Sequence, residues 1–316
     1  MGLLPKTSYF FENCLLERTN AIRMIARKIK NHVQGIAAIV LRVNLIRLFT
    51  RLLLRALRLD LALGKRLPVI GEFHFEQQGM SCKYRSSFYD GVGRILYWSG
   101  FQKYEPETLK VFCELAKKSN TVMDIGANTG LFTLAAKAAN PEAAVHAFEP
   151  VPEIFNQFSY HCSANALNSG LVLNNIALSK EPGLEYIHIP YESMGSATLV
   201  QGGINNLRGK QKRISVTSLD EYVSNHRIKR IDLIKIDVEG HEFEVLQGAT
   251  RTLSRDSPNI ICECLPIGDN DSTERLLHKI GYLIYWLTRS GPQKVGSLKP
   301  TETGEFHNFL FTKKTL

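Results

Sequence analysis

VMDIGANTG, residues 122–130, is the stretch whose reading decides the fold. Thr121, Val122 and Met123 read as the body of a strand, Asp124 stands near its tip, and Gly126 and Gly130 bracket Ala127, Asn128 and Thr129. LFTLAAKAA follows at once with apolar residues at helical spacing. A strand, a turn nearly free of side chains and a helix form the first half of a βαβ unit. In an open parallel sheet, ligands sit at the carboxyl ends of the strands, near the point where strand order reverses. Glycines let the backbone turn tightly and approach a ligand closely. The amides at the following helix start suit an anion or a carboxylate.

Around this stretch the chain alternates strands and helices, the pattern of a parallel sheet covered on both faces. The strands expected are TVMDI, AVHAF, LVLNNIAL, DLIKIDV, NIICECL, YLIYWL and NFLFTKK. The helices expected are LFTLAAKAA, PEIFNQFSYHCSANA, EFEVLQGATRTLS and STERLLHKI. Between the last two strands lies a Gly- and Pro-bearing loop without a helix, which predicts an antiparallel pair. Upstream, PVIGEFHFEQQGMSCKYRSS alternates on either side of Gly79 and predicts a hairpin, and PETLKVFCELAKK predicts a helix opened by Pro106.

The chemistry of the loop narrows the ligand. A dinucleotide fold prefers G-x-G-x-x-G, and Asp124 suits an ammonium group better than a pyrophosphate. AVHAF leads to Glu149, placed to accept hydrogen bonds from ribose hydroxyls. An acid for an amine, amides for a carboxylate and an acid for a ribose together describe S-adenosylmethionine. The alternatives are an NAD-dependent oxidoreductase and, outside catalysis, an inactive membrane-associated scaffold of the same fold.

DIGANTG, AFEPVPEIF, NIALS, SLDEY and IDLIKIDVEGHEFEVLQG, in that order, resemble the FkbM-type methyltransferases, a branch of the class I S-adenosylmethionine-dependent enzymes. The similarity covers residues 80–312, and IDLIKIDVEGHE is its most specific part. SMGSA, residues 193–197, resembles the family's short Gly/Ser stretch, with Ser193 where an Asn is usual. The resemblance implies an α/β fold with a Rossmann-like, seven-stranded, mostly parallel sheet, helices on both faces and one antiparallel strand, the last. It also implies methyl transfer, usually to an oxygen. The acceptor expected is a hydroxyl of a glycan, a lipid-linked sugar or a related metabolite, the lipid-linked form on the ground of the basic helix of residues 41–63 alone. The donor site is expected at Asp124, Gly126, Asn128, Gly130, Glu149 and Asp237.

IKIDVEGHE forms a second constellation. Lys235 and Asp237 alternate with Ile234, Ile236 and Val238 and so share one strand face, with Asp237 near the carboxyl end. An activated methyl group asks the protein mainly to align an oxygen behind it and to accept the proton that oxygen loses. Asp237, Glu239 and His241 are the candidates, with Asp237 as substrate-orienting group or base and His241 as the alternative base. Glu263, in NIICECL, faces the same crevice edge. A buried Lys235–Asp237 ion pair is the structural alternative, and Glu242 reads as a helix-capping acid. Asp237 and Glu263 find no third ligand in the sequence, so no metal site is expected.

Composition bounds the rest. The 316 residues carry a net charge of +9 and a 44% hydrophobic content, enough for a substantial core. Residues 1–66 hold 13 of the 39 basic and 3 of the 30 acidic residues, so the basicity belongs to the N-terminal segment. Within residues 41–63, LRVNLIRLFTRLLLRALRLDLAL, Arg47, Arg51, Arg55 and Arg58 recur at helical steps over a wide apolar arc. This suits a helix lying on an anionic membrane surface, or one docked on the body with its arginines in solvent. Few aromatics interleave the arginines, which argues against nucleic acid.

No apolar stretch of signal-peptide length lies near the start, and MGLLPK lacks the Ser or Thr of a myristoylation signal. The six cysteines, Cys14, Cys82, Cys113, Cys162, Cys262 and Cys264, form no C-x-x-C pair and read as reduced thiols. The expectation is a cytoplasmic protein, peripheral at the membrane through residues 41–63. Three segments are expected: the basic helical extension of residues 1–66, a hairpin and helix over 67–110, and a methyltransferase domain over 111–316.

Overall fold

The computed structural model describes residues 48–53, 66–77, 79–167, 169–190, 197–199, 209–298 and 307–316. The hairpin forms as its alternation predicts, from β1 (Gly71–Gln77) and β2 (Met80–Ser86), turning at Gly79. Helix α1 (Gly91–Trp98) follows, capped by Asp90, whose side chain accepts from the Gly93 amide at 2.8 Å. Helix α2 (Pro106–Ala116) then leads into the central strand β3 (Thr121–Ile125). Next come α3 (Leu131–Ala139), β4 (Ala144–Phe148), α4 (Pro152–Ala164) and β5 (Leu171–Asn174).

A second, smaller sheet interrupts the alternation. It comprises β6 (Ala177–Leu178), β7 (Gly183–Pro190), β8 (Thr198–Leu199) and β9 (Gly209–Thr217), in the order β6-β9-β7-β8. The chain returns through α5 (Leu219–Asn225), β10 (Leu233–Ile236), α6 (Glu242–Gln247) and α7 (Thr250–Asp256). It ends with β11 (Asn259–Glu263), α8 (Asn270–Lys279), β12 (Leu283–Thr288), β13 (Gly291–Val295) and β14 (Asn308–Thr312).

The main sheet runs β13-β12-β14-β11-β10-β3-β4-β5. Strands β11, β10, β3, β4 and β5 are mutually parallel, and β14 is antiparallel to both its neighbours. The antiparallel pairing of YLIYWL with NFLFTKK is therefore present. The sheet has eight strands rather than seven, because GPQKV, between those two, folds back as an edge strand on β12. Strand order reverses beside β3, which opens a crevice over the carboxyl ends of β3, β4, β10 and β11.

All four residues of β10 are buried, and their alternation divides the core. Leu233 faces a cluster built with α2, α3, the hairpin and α1, whereas Ile234 and Ile236 face one built with α5 to α8. The hairpin and α1 thus share a core with the sheet, and residues 67–110 are part of the same body.

Two further expectations need correction, and one element had no counterpart among them. LVLNNIAL is two strands in two sheets, because Asn174 and Asn175 side chains donate to the carbonyls of Ala147 and Glu149 and turn the chain away after β5. EFEVLQGATRTLS is two helices broken at Gly248, where a Cβ would lie 2.2 Å from the Ser179 carbonyl oxygen. The small sheet was unforeseen, although Ile214 and Val216 alternate with outward-facing polar residues in β9.

Of residues 41–63 only 48–53 are described. They are helical, with Leu48, Phe49, Leu52 and Leu53 exposed, while the Arg51 guanidinium turns inward, 5.0 Å from the Tyr97 ring centre. Arg47, Arg55, Arg58, Cys14 and residues 193–196 of SMGSA lie outside the described residues. The five described cysteines are buried free thiols. Among the described residues no helix is long and apolar enough to cross a membrane.

Candidate active site

A cavity of about 460 Å³ lies over the carboxyl ends of β3, β4, β10 and β11, within the range of small-molecule and cofactor pockets. Gly126 and Asn128 of the loop, Glu149, Asp237, Glu239 and Glu263 all line it. These residues come from four strand ends, so the topology unites what the sequence separates.

The glycines have a reason other than ligand approach. Gly126 and Gly130 adopt φ of +79° and +88°. A Cβ on Gly126 would lie 1.8 Å from the Asp237 carbonyl oxygen, and one on Gly130 would lie 2.1 Å from the Phe158 ring. The loop is pressed against the end of β10 and against α4, and only glycine fits both the backbone conformation and the space. Its amides are also engaged: Gly126 and Ala127 donate to the Phe148 carbonyl, Gly130 to that of Ala127, and Asn128 to Glu149 Oε2 at 3.0 Å.

Glu149 is held from both sides, since its Oε1 accepts from the Val151 amide at 2.8 Å. Burial pushes its carboxyl up to about 7, with the Val151 and Asn128 amides drawing it back. Asp124 is placed differently from expectation. It is 1% exposed, is not among the residues lining the cavity, and accepts from Thr133 Oγ1 at 2.6 Å. Its carboxyl, raised to about 6 by burial, ties the end of β3 to the first turn of α3. Gly130 is likewise outside the lining.

The IKIDVEGHE constellation divides in two. Lys235, fully buried on the α3 side of the sheet, points its ammonium to Asp237 Oδ2 at 3.2 Å and lies 5.0 Å from the Phe132 ring centre. Burial would lower the ammonium, but Asp237, Glu105 and Glu263 around it hold it above its usual value. Burial would raise Asp237, but the Lys235 charge and hydrogen bonds with Glu263 and Lys235 hold it below the ordinary carboxylate value. Glu263 takes the opposite course and is pushed up to about 10 by burial and the adjacent Asp237. The ion-pair reading and the crevice reading of Asp237 are therefore both correct in geometry.

Glu239 lines the cavity at φ +55°, and Gly240 follows at φ +98°. This left-handed pair reverses the chain, so His241 leaves on the far side. His241 is 3% exposed, lies outside the cavity lining, and meets Ser179 Oγ at 2.9 Å and Glu244 at 3.5 Å. That placement removes it as a base for this cavity. Glu242 secures the turn, accepting from the amides of Gly240 at 3.0 Å and Val238 at 3.3 Å, as a capping acid does. Burial, with Asp237 and Glu242 nearby, raises the Glu239 carboxyl to about 7.

Sequence reasoning missed the wall contributed by residues 84–105. The Tyr84 hydroxyl bridges Asp90 Oδ2 at 3.0 Å and Thr129 Oγ1 at 2.8 Å, fixing the loop from the hairpin side. Arg94 of α1 lines the cavity, as do Tyr104 and Glu105. Glu105 stands at φ +37°, accepts from Asn308 Nδ2 at 3.3 Å, and is raised by burial against the pull of Lys235. No local motif marks these residues; only the contact of the hairpin with the loop recruits them. Among the described residues no group of three or more metal-ligating side chains converges.

A reversing parallel sheet with a glycine loop, an acid after β4 and an acidic pair after β10 is the arrangement of an open α/β fold with a ligand-sized crevice at its strand ends. The family model for the methyltransferase FkbM domain matches residues 124–284, just over half of the chain, and the chain belongs to that methyltransferase family. It is 33% identical over 190 residues to "Methyltransferase sdnD" of Sordaria araneosa, covering 51% of this chain and 73% of that one. It is 26% identical to "Hexuronic acid methyltransferase AglP" of Haloferax volcanii, covering 60% of this chain and 71% of that one. To "31-O-demethyl-FK506 methyltransferase FkbM" of Streptomyces tacrolimicus it is 29% identical, covering 42% and 60%.

Proposed function

We propose that this chain is an S-adenosylmethionine-dependent O-methyltransferase acting on a hydroxyl of a glycan, a lipid-linked sugar or a related metabolite. The observation that carries this reading is the convergence of Gly126, Asn128, Glu149, Asp237 and Glu239 on one cavity. The relatives named for a hexuronic acid and for 31-O-demethyl-FK506 support an oxygen of a hydroxylated compound as acceptor.

The residues present fit the donor in volume and in donor set. Glu149, fixed by two amides, presents a rigid acceptor for ribose hydroxyls. The Gly126–Asn128 backbone and Asp237 stand at the strand ends where the remainder would lie. S-adenosylmethionine supplies an activated methyl group, so the protein's work is alignment and proton removal. Asp237, held anionic by Lys235, orients the acceptor hydroxyl. Its lowered affinity for protons makes it a weak base. Glu239, raised to about 7, is matched to accept the proton near neutral pH.

Calorimetric titration with S-adenosylmethionine tests the donor site. Glu149→Ala loses charge-assisted hydrogen bonds of about 1.5–3 kcal/mol, roughly a 10- to 100-fold weaker affinity. Unchanged affinity refutes the assignment. Mass spectrometry of glycans and lipids from cells with and without the gene, seeking a shift of about 14 daltons for one methyl group, identifies the acceptor. With that acceptor in hand, Glu239→Gln is expected to lower turnover by about 10²–10⁴ while keeping donor affinity.

A further inference from the structure

The cavity wall carries six carboxyl side chains, of Asp90, Glu105, Glu149, Asp237, Glu239 and Glu263. Arg94 is its single Lys, Arg or His side chain among the described residues. Arg94 projects from the middle of α1, and its Nε is buried with no hydrogen-bond partner. A buried donor left unpaired is destabilising, and a guanidinium presents a planar fork matched to a carboxylate.

The carboxylates of the wall have other partners. Asp90, one turn before Arg94, accepts from the Gly93 amide through Oδ1, and its Oδ2 meets the Tyr84 hydroxyl and the Gln157 amide. Glu149 is held by the Asn128 and Val151 amides, and Asp237 by Lys235. The amides of Gly126, Ala127, Asn128 and Gly130 all donate inside the protein, which leaves an incoming anion only the neutral amides that open α3 as backbone donors of this loop. A carboxylate entering this cavity therefore finds its strongest partner in Arg94, where exclusion of water strengthens the pairing.

We infer that Arg94 is the carboxylate-binding residue of this cavity and pairs with a carboxylate carried by a bound ligand. The inference rests on the donor and acceptor sharing the cavity, as proposed above. That carboxylate has two sources, an acidic acceptor such as a uronic acid and the amino-acid end of the methyl donor.

Calorimetry on the full-length chain separates them. The probes are S-adenosylmethionine against its decarboxylated form, and glucuronate against glucose. The expected result is that Arg94→Gln weakens one carboxylate-bearing probe at least tenfold, with its neutral counterpart unaffected, and that Arg94→Lys falls between. Loss confined to glucuronate assigns the acceptor, and loss confined to S-adenosylmethionine assigns the donor. If Arg94→Gln fails to fold, a tenfold preference of the wild type for either carboxylate-bearing probe, reduced in Arg94→Lys, supports the inference. Equal affinities of wild type and variants for both carboxylate-bearing probes, absence of binding included, overturn it. Wild type that binds glucuronate through Arg94 but no S-adenosylmethionine overturns the donor assignment and leaves Arg94 standing.

Discussion

Gly126 and Gly281 have nearly the same backbone conformation, φ +79° and +82°, in opposite surroundings. At Gly281, just after α8, an added Cβ meets nothing within 4 Å. At Gly126 it would lie 1.8 Å from the Asp237 carbonyl oxygen and 2.8 Å from its carbon, both backbone atoms that no rotamer change can move. Alanine at either position incurs the left-handed penalty, about 1–2 kcal/mol. Only Gly126→Ala adds overpacking, a further ~1–3 kcal/mol. With roughly 2–4 °C of unfolding temperature per kcal/mol in a chain of this size class, Gly281→Ala is expected to lose no more than about 8 °C. Gly126→Ala is expected to lose roughly 4–20 °C, always the larger shift of the two. Thermal unfolding of wild type and both variants at one pH and scan rate is the assay. A second readout is affinity for S-adenosylmethionine, which falls only in Gly126→Ala as the loop and the end of β10 are forced apart. Equal thermal shifts in the two variants would refute the claim that the loop glycine answers to Asp237 rather than to backbone conformation alone.

Three further outcomes are expected. Glu242, 3% exposed, is raised by burial from 4.5 to about 7 and so holds its proton more readily when folded. The folded state therefore loses stability as pH rises through that window, by an amount on the order of 3 kcal/mol once complete. Glu242→Gln keeps an acceptor for the Gly240 and Val238 amides, so its stability relative to wild type should grow from pH 5 to pH 8; parallel curves would refute this. His241→Gln, on the far side of the turn, should bind S-adenosylmethionine as the wild type does, and a tenfold loss would return His241 to the site. Changing Arg47, Arg55 and Arg58 together to Gln, and leaving Arg51 on the Tyr97 ring, should release the protein from anionic vesicles, at about 1 kcal/mol per basic residue near the surface; wild type that does not sediment with such vesicles removes the membrane reading.

The α/β alternation, the hairpin about Gly79 and the two acidic strand ends were legible in the sequence, because each depends on residues within about ten positions of one another, the range over which periodicity and turn chemistry act. DIGANTG and IDLIKIDVEGHE were likewise readable as marks of one methyltransferase family, and the family match confirms them. The eighth strand was harder to read: GPQKV has little strand character, and it pairs with β12 through the tight turn from Thr288 to Gly291, where Thr288 Oγ1 donates to the Gly291 carbonyl.

What each residue faces was decided by tertiary structure. Asp124, near the end of β3, and Glu149, just after β4, both stand at the tips of short buried strands, yet one accepts from the Thr133 hydroxyl of α3 and the other lines the cavity. Asp237 and His241 are four positions apart, and two consecutive left-handed residues between them send one to the cavity and the other to Ser179. Tyr84 and Arg94 reach the site only because the hairpin and α1 pack on the same core as β3. Local sequence sets the path of the backbone, but the direction of a side chain at a turn and its neighbours depend on contacts between segments as far as 203 residues apart, as between Glu105 and Asn308. No local pattern encodes such contacts, because their energy exists only once the chain has closed on itself.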